Sequence, residues 1–443
     1  MRLKNFIFWV VSGSLSGAAF LSCSRSGTLH HEPVAVRVQN DSLSALSARI
    51  RFSLDQAAPA SIVYWEKGTT LKFNTPENST RLQHSIPLFH LKEQTAYEFS
   101  ILTEGAESST HAFTTAAIPA HVKKFYSEEQ RQIRDANNGY ILFYSRYAPA
   151  TAYLIDPSGK IAWYRTTPHM LKVARLTQQQ TLLWLEDEHN TSFGDGNVIL
   201  ETSLAGDTLF YLKQGQKGFD RSVHHDLDLN PKGNIVAVTN VLQGSAIPGD
   251  GLMELDRQGN KIWEWTTFDT PDAADLGIHA QPWINSLDID TDGNYIVSLR
   301  AFSQVWKINA ASGSIHWKLG KNGNVAMDPQ DHFQFQHYAH RNPAGHIMLF
   351  DNGSADRPFS RLLSFQINEQ TLQASPVIRQ ELPAQYYSAI MGSTMLLPDQ
   401  QLLTASSNNS TILKTSASGD ILWTLKVAEP VYRAEYIGDP FPR

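Results

Sequence analysis

A unit that recurs about every 50 residues from residue 130 to the end constrains this chain more than any other feature. Its pieces are YLIDPSGKIAWYR, LETSLAGDTLFYLK, MELDRQGNKIWEW, WKINAASGSIHWKLG, a degenerate LSFQINEQTLQASPVI, and LKTSASGDILWTLK. Each unit holds short apolar stretches separated by a turn with Gly-Asn or a near-equivalent, and closes on a strand with a large aromatic. These positions are Trp163, Phe210, Trp263, Trp317, Val377 in the degenerate unit, and Trp423. About four strands per unit and six units predict an all-β, six-bladed β-propeller over residues 117–443. The aromatic of each outer strand is expected between blades, a structural role.

Residues 33–116 read differently. PVAVRVQ, SARIRFSL, ASIVYWEK and TAYEFSILTE alternate apolar and polar residues, as half-buried strands do. Tyr97, Phe99 and Ile101 should face one side, and Glu98 and Ser100 the other. The stretch LKEQTAYEFSILTEG resembles the end of a fibronectin type III domain, with Tyr97 as a corner tyrosine. The expectation is a small fibronectin type III-like β-sandwich that supports the propeller and carries no chemistry.

Before it, MRLKNFIFWVVSGSLSGAAFLSC has two early cations, a modest apolar run and then small residues, the pattern of an export signal. The run is short and weakly apolar for a membrane span. The only cysteine, Cys23, stands where the run stops, and Phe20-Leu21-Ser22-Cys23 resembles a bacterial lipobox. That implies removal of residues 1–22, lipid on the Cys23 sulfur and a linker over 23–32. The expectation is an exported lipoprotein anchored on the periplasmic or outer side of a bacterial membrane, the outer one favoured. One cysteine excludes an internal disulfide. A net charge of −6 with 18% charged residues and no basic stripe argues against nucleic acid as a partner.

Register, rather than any local motif, points to a site. Three units align without gaps: HDLDLNPKGNIVAVTN, NSLDIDTDGNYIVSLR and HYAHRNPAGHIMLFDN. His225, Asn285 and His337 each start an inner strand, eight residues before a turn glycine (Gly233, Gly293, Gly345). Asn240, Arg300 and Asn352 each end the partner strand, seven residues after that glycine. Antiparallel pairing puts the start of the first strand beside the end of the second. All six residues are therefore expected at one mouth of the central channel. Of the four histidines in DHFQFQHYAHRNPAGHIMLFDNGS, this selects His337. His340 is expected to follow it into the blade, His346 to sit at the turn, and His332 to lie in a loop. Met391 to Thr394 belong to the same region, and Tyr432 with Arg433 are expected to return to the first blade.

Taken in order, VHHDLDLNPKGN, INSLDIDTDGNYIVSLR, FQHYAHRNPAGHIMLFDNGS, MGSTMLLPDQQLL and VYRAEY resemble the bacterial arylsulfate sulfotransferase family over most of the chain from residue 130 onward. The resemblance implies a six-bladed propeller behind an N-terminal β domain. It implies transfer of a sulfuryl group from an aryl sulfate to a phenol without a nucleotide donor, and no cofactor. The family's nucleophilic histidine matches His337. Its helpers match His224 or His225, Asn285 and Arg300. Asn352, Asn240, Trp283, Thr394 and Tyr432 are then expected to line the substrate site. One departure stands out: where the family has His-x-Asn-Ser, this chain has Trp283. The nearest histidine is His279, six residues before Asn285.

Such chemistry suits these residues. Sulfuryl transfer resembles phosphoryl transfer, with charge spread over peripheral oxygens in an in-line transition state. A neutral imidazole attacks sulfur, Arg300 clamps the oxygens, Asn285 donates to them, and one histidine of the 224/225 pair handles the phenolic proton. The sequence does not say which of the pair faces the channel. A metal on His224, His225 and Asp226 is not expected, because consecutive ligands rarely converge on one ion. Two other readings use the same repeats. One is a propeller that binds ligand or protein without turnover, favoured by Trp283. The other is a quinone-cofactor dehydrogenase, which needs adjacent cysteines that this chain lacks.

Overall fold

The computed structural model describes residues 33–40, 43–132, 139–191, 195–243, 247–270 and 281–441. The export signal, Cys23, the linker over 23–32 and His279 lie outside the described residues. What is described is nearly all β, with one short helix, Ala120–Phe125.

In the N-terminal region one strand, Ala48–Glu66, is shared by two packed groups of strands. Its first half pairs with Pro33–Asn40 and Asn78–Leu88, and its second half with Ala96–Thr103. The register breaks between Ser53 and Ala60, where the strand passes from one group to the other. Ile50, Phe52, Ile62, Leu88, Tyr97, Phe99 and Ile101 form the core between them. The Tyr97 hydroxyl accepts from the Lys92 backbone N–H at 2.9 Å, which ties the turn before its strand. Ser100, expected on the outer face, is buried. This region leans on the propeller through Ala45, whose N–H donates to Tyr164 at 2.7 Å, through Arg49 on Asp207 at 2.8 Å, and through Phe89 against Phe441.

Beyond it stand six four-stranded antiparallel sheets, the blades of a propeller. Two segments from opposite ends of the chain close the ring. Ala434–Ile437 supplies the innermost strand of blade 1 by pairing with Tyr140–Tyr144. Tyr126–Gln132 adds a fifth, outermost strand to blade 6 by pairing with Ile421–Val427. The expected return of Tyr432 and Arg433 to the first blade is this inner strand.

The outer strands repeat one irregularity. In every blade a bulge skips one residue just before the interblade position, so that Trp163, Phe210, Trp263, Trp317 and Trp423 pair opposite Leu154, Glu201, Glu254, Lys307 and Lys414. In blade 5 the paired residue is Ile378, opposite Ser364. Val377, expected in the interblade slot, is the skipped residue and is 49% exposed, like Ile262 (52%) in blade 3. The aromatics bridge blades as expected: Trp163 donates to the Leu204 carbonyl at 3.1 Å, and Trp263 lies 5.4 Å from Tyr295.

Candidate active site

The inner strands begin in a common register. Aligning the pairs Glu435–Leu142, Arg175–Leu183, Asp228–Val236, Asp288–Ile296, His340–Met348 and Met395–Leu403 sets Tyr432, Lys172, His225, Asn285, His337 and Gly392 at equivalent starts. The equivalent ends of the second strands are Arg146, Asp187, Asn240, Arg300, Asn352 and Ser407. Four of the starts sit at bulges, between Leu171 and Val173, Val223 and Leu227, Ile284 and Ser286, and His337 and His340. The bulges re-aim side chains that regular pleating would send into the blade. Within two residues of these starts, His225, Trp283, Tyr338 and Met391 hold positive φ of 58°, 60°, 54° and 54°. For non-glycine residues such conformations are costly and cluster at functional sites.

His337 is buried and tightly held. Its Nδ1 lies 2.7 Å from Asn352 Oδ1 and 3.1 Å from the Phe335 carbonyl. Both are acceptors, so Nδ1 carries the proton and Nε2 keeps the lone pair. The Asn352 amide is oriented independently, because its Nδ2 donates to the carbonyls of Ser388 and Met391, each at 2.8 Å. Burial, helped by the Arg300 guanidinium, pushes His337 down to about 4, against the upward pull of Asn352. The ring is neutral at physiological pH. Its backbone is pinned through the fully buried Gln336, whose Nε2 donates to Ser298 Oγ (3.0 Å) and to the Gln304 carbonyl (2.8 Å).

Asn285 does not offer its amide to the mouth as expected. Its Nδ2 donates to the Gln336 carbonyl at 2.8 Å, so it fixes the segment carrying His337. Its Oδ1 is buried without a partner.

The 224/225 pair resolves cleanly. His225 is half-buried, with Trp283 edge-on at 6.2 Å and Tyr432 at 6.5 Å. His224 is buried and turns toward Asp250, with Nε2 3.3 Å from Oδ1, within ion-pair distance but off the line of a hydrogen bond. The two Nδ1 atoms are 2.6 Å apart. Burial first, then the fields of His224, His337, Arg146 and Arg300, hold His225 well below the ordinary histidine range. A neutral ring has no acidic proton to give a phenoxide, so the expected acid role does not fit. Asp226 points away to Arg433, and the three consecutive residues do not converge on a metal position.

Arg300 begins a short 3-10 turn, its backbone N–H bonded to the Trp283 carbonyl at 3.0 Å. Its guanidinium lies over the Phe335 ring at 4.9 Å and makes no ion pair among the described residues. Burial lowers its proton affinity but leaves it charged. Trp283 is 45% exposed beside it.

A floor closes the channel beneath this mouth. The Tyr432 hydroxyl reaches across to the Asn285 carbonyl at 3.2 Å. Below it Arg433 grips Asp226 through two bonds of 3.1 and 2.8 Å, Tyr338 donates to Glu435 at 3.1 Å, and Arg175 donates to the Leu287 carbonyl at 3.1 Å. His340 belongs to this layer, pushed to about 4 by burial. Burial also raises Asp288 here to about 7. These bonds join the inner strands of several blades beneath the mouth.

Other expected residues lie elsewhere. Thr394 is fully buried inside blade 6, accepting from Thr404 Oγ1 at 3.3 Å, because it sits two residues past the mouth position. Asn240 is engaged by Ser222 before its own blade's first strand, by Asp195 from blade 2 and by Gln281 ahead of blade 4, and makes no bond to His225. His346 caps its turn, with its N–H on Asn342 Oδ1 at 3.0 Å, and His332 spends its carbonyl on Arg361. Two mouth residues were missed, Gln336 and Arg146. Gln336 leaves no periodic signal. Arg146 stands seven residues after Gly139, the spacing that marked Arg300 and Asn352.

Residues 126–421 match the family model described as Arylsulfotransferase (ASST). No curated protein matches the chain. Among solved structures, a Bacteroides caccae protein of unknown function is 13% identical, with 68% of this chain and 99% of that chain covered and a TM-score of 0.43. A catalytically inactive virginiamycin B lyase from Staphylococcus aureus with quinupristin is 9% identical, with 68% and 88% covered and a TM-score of 0.38. A Bacteroides thetaiotaomicron protein of unknown function is 11% identical, with 89% and 98% covered and a TM-score of 0.34.

Proposed function

Starting from the premise that this chain belongs to the arylsulfotransferase family, we propose that it moves a sulfuryl group from an aryl sulfate to a phenol through a covalent intermediate on His337. The observation that carries this reading is the His337 tautomer: Nδ1–H engaged by Asn352, Nε2 left with its lone pair, and the ring neutral.

In the first half-reaction the Nε2 lone pair attacks sulfur, and the bond from sulfur to the aryl oxygen breaks. Phenolate leaves with the bonding electrons and takes its proton from water. Nδ1–H stays in place, so the ring becomes a sulfo-imidazolium whose charge faces the neutral Oδ1 of Asn352. A dipole stabilises that cation less than a carboxylate does, which keeps the N–S bond labile. Arg300, charged and without a counter-ion among the described residues, is matched to the sulfuryl oxygens. In the second half-reaction the acceptor phenol passes its proton to His225, its oxygen attacks sulfur, His337 departs with the N–S electrons, and His225 then gives the proton back to water, replacing the one the first phenolate took. His224 and Asp250 stand behind His225 to share the charge. Trp283 offers its exposed face to the aryl ring.

The test is phenol release from an aryl sulfate, with a phenolic acceptor and no nucleotide donor. Wild type should sulfate the acceptor with ping-pong kinetics, and His337→Ala should lower turnover by at least about three orders of magnitude. If neither protein sulfates any acceptor, while aryl sulfates still bind, the propeller is a binding module. The exposed Trp283 at a usual histidine position favours that second reading.

The export signal and Cys23 extend the proposal to a lipid-anchored protein acting outside the cytoplasm. Membrane fractionation checks it: wild type should sediment with membranes and Cys23→Ala should not.

A further inference from the structure

Arg146 ends the second strand of blade 1 at the position where Arg300 ends that of blade 4. Its surroundings are those of a cation kept for something not in the chain. Nη1 touches only the Met391 sulfur, at 3.5 Å, and the guanidinium lies over the Tyr432 ring at 5.3 Å. Nε is buried with no hydrogen-bond partner. Arg146 makes no ion pair among the described residues, whereas blade 2 neutralises its own mouth cation within the same strand pair. There Lys172 lies 3.2 Å from Asp187 and 2.9 Å from the Thr191 carbonyl. The neighbouring acids are committed: Asp187 to Lys172 and Thr191, and Asp195 to Asn240. A partly desolvated arginine without a carboxylate is costly unless a ligand supplies the charge.

Its place in the mouth indicates which part of a ligand it meets. The Arg146 guanidinium lies over the Tyr432 ring, that ring lies 6.5 Å from His225, and His225 meets on its other side Trp283, whose carbonyl holds Arg300. A substrate with its sulfuryl group at His337 and Arg300 passes His225 and Tyr432 before it reaches Arg146. We infer that Arg146 is a second anion site, and that the preferred aryl sulfate carries another anionic group, a carboxylate or a second sulfate, on the ring away from the ester that reacts. This inference rests on the function proposed above.

The test compares phenyl sulfate with 4-carboxyphenyl sulfate as donors to one acceptor. Wild type should favour the carboxylated donor in kcat/KM. The ratio of the two values should fall by about ten-fold or more in Arg146→Gln, partly recover in Arg146→Lys, and invert in Arg146→Glu. An unchanged ratio in Arg146→Gln overturns the inference. If wild type turns over neither donor, the transferase reading fails, and calorimetric titration with the same two esters decides the anion site by itself. Tighter binding of the carboxylated ester that is lost in Arg146→Gln upholds it. Equal binding, or none, overturns it.

Discussion

The Nδ1 of His337 lies 2.7 Å from Oδ1 of Asn352, and that oxygen is oriented by the two carbonyls, of Ser388 and Met391, that hold the other end of the amide. An asparagine here fixes the tautomer without adding a charge. A carboxylate at the same place would fix it too, but would favour imidazolium. Asn352→Asp should therefore raise His337 by about 1–3 pKa units. The acid limb of kcat/KM should move up with it, and the sulfohistidine should persist longer. A pH–rate profile and acid-quench trapping of the labelled enzyme measure the two effects. An acid limb that stays in place removes Asn352 from this role.

The wild-type profile follows from the same burial. His337 is pushed to about 4, so kcat/KM should stay flat from neutral pH down to about 5 and fall only near 4. Stability behaves differently. His337 and His340 are both about 4 when folded and near 6.5 when unfolded, so the unfolded chain binds more protons between those values. Their contribution is fully present above about 6.5 and is lost as pH falls toward 4, at most about 3 kcal/mol for each. Urea midpoints at pH 7, 5.5 and 4.5 should fall in turn, and less steeply in His340→Gln. A His340→Gln slope equal to wild type would refute the assignment.

The floor of the pocket should be intolerant of single changes. Arg433 and Asp226 are buried and doubly bonded, linking the closing strand of blade 1 to blade 3. Without Arg433, Asp226 keeps only its longer contact to Arg175 at 3.6 Å, so Arg433→Met should cost about 3 kcal/mol, while the double replacement Arg433→Met with Asp226→Leu should cost less. Chemical denaturation of the two variants compares them. A double variant less stable than the single would mean that the ion pair itself stabilises the ring closure.

Much of this was legible in the sequence because propeller blades repeat. Gly233, Gly293 and Gly345 set one register, and counting from them brings His337, Asn352, His225 and Arg300 to one mouth. The same counting from Gly139 reaches Arg146, but the inner strand of blade 1 comes from the far end of the chain, so that unit did not align as a hairpin. Thr394 illustrates the opposite error: two residues along a strand keep the same face but change the depth, and depth decides who meets solvent. Bulges account for the rest. They turn His225 outward and His224 inward, and they moved the blade 5 slot from Val377 to Ile378. A one-residue skip depends on tertiary pairing, and no period in the sequence records it.

In the proposed transfer, Trp283 bears on how the leaving phenolate is treated. Its carbonyl holds Arg300, its indole meets His225 edge-on, and its backbone sits at φ 60°. It carries no group that can protonate an oxygen, and the neutral His225 beside it supplies none. Departure of phenolate without a proton makes the rate depend steeply on leaving-group acidity. Trp283→His places a titratable ring there. It should speed donors with poor leaving groups, such as phenyl sulfate, by about ten-fold or more, and change 4-nitrophenyl sulfate little. The dependence of log kcat/KM on phenol pKa should then flatten. A series of substituted phenyl sulfates measures that slope in both proteins. An unchanged slope would mean that the leaving oxygen does not lie near residue 283, and that Trp283 acts only as a wall for the ring.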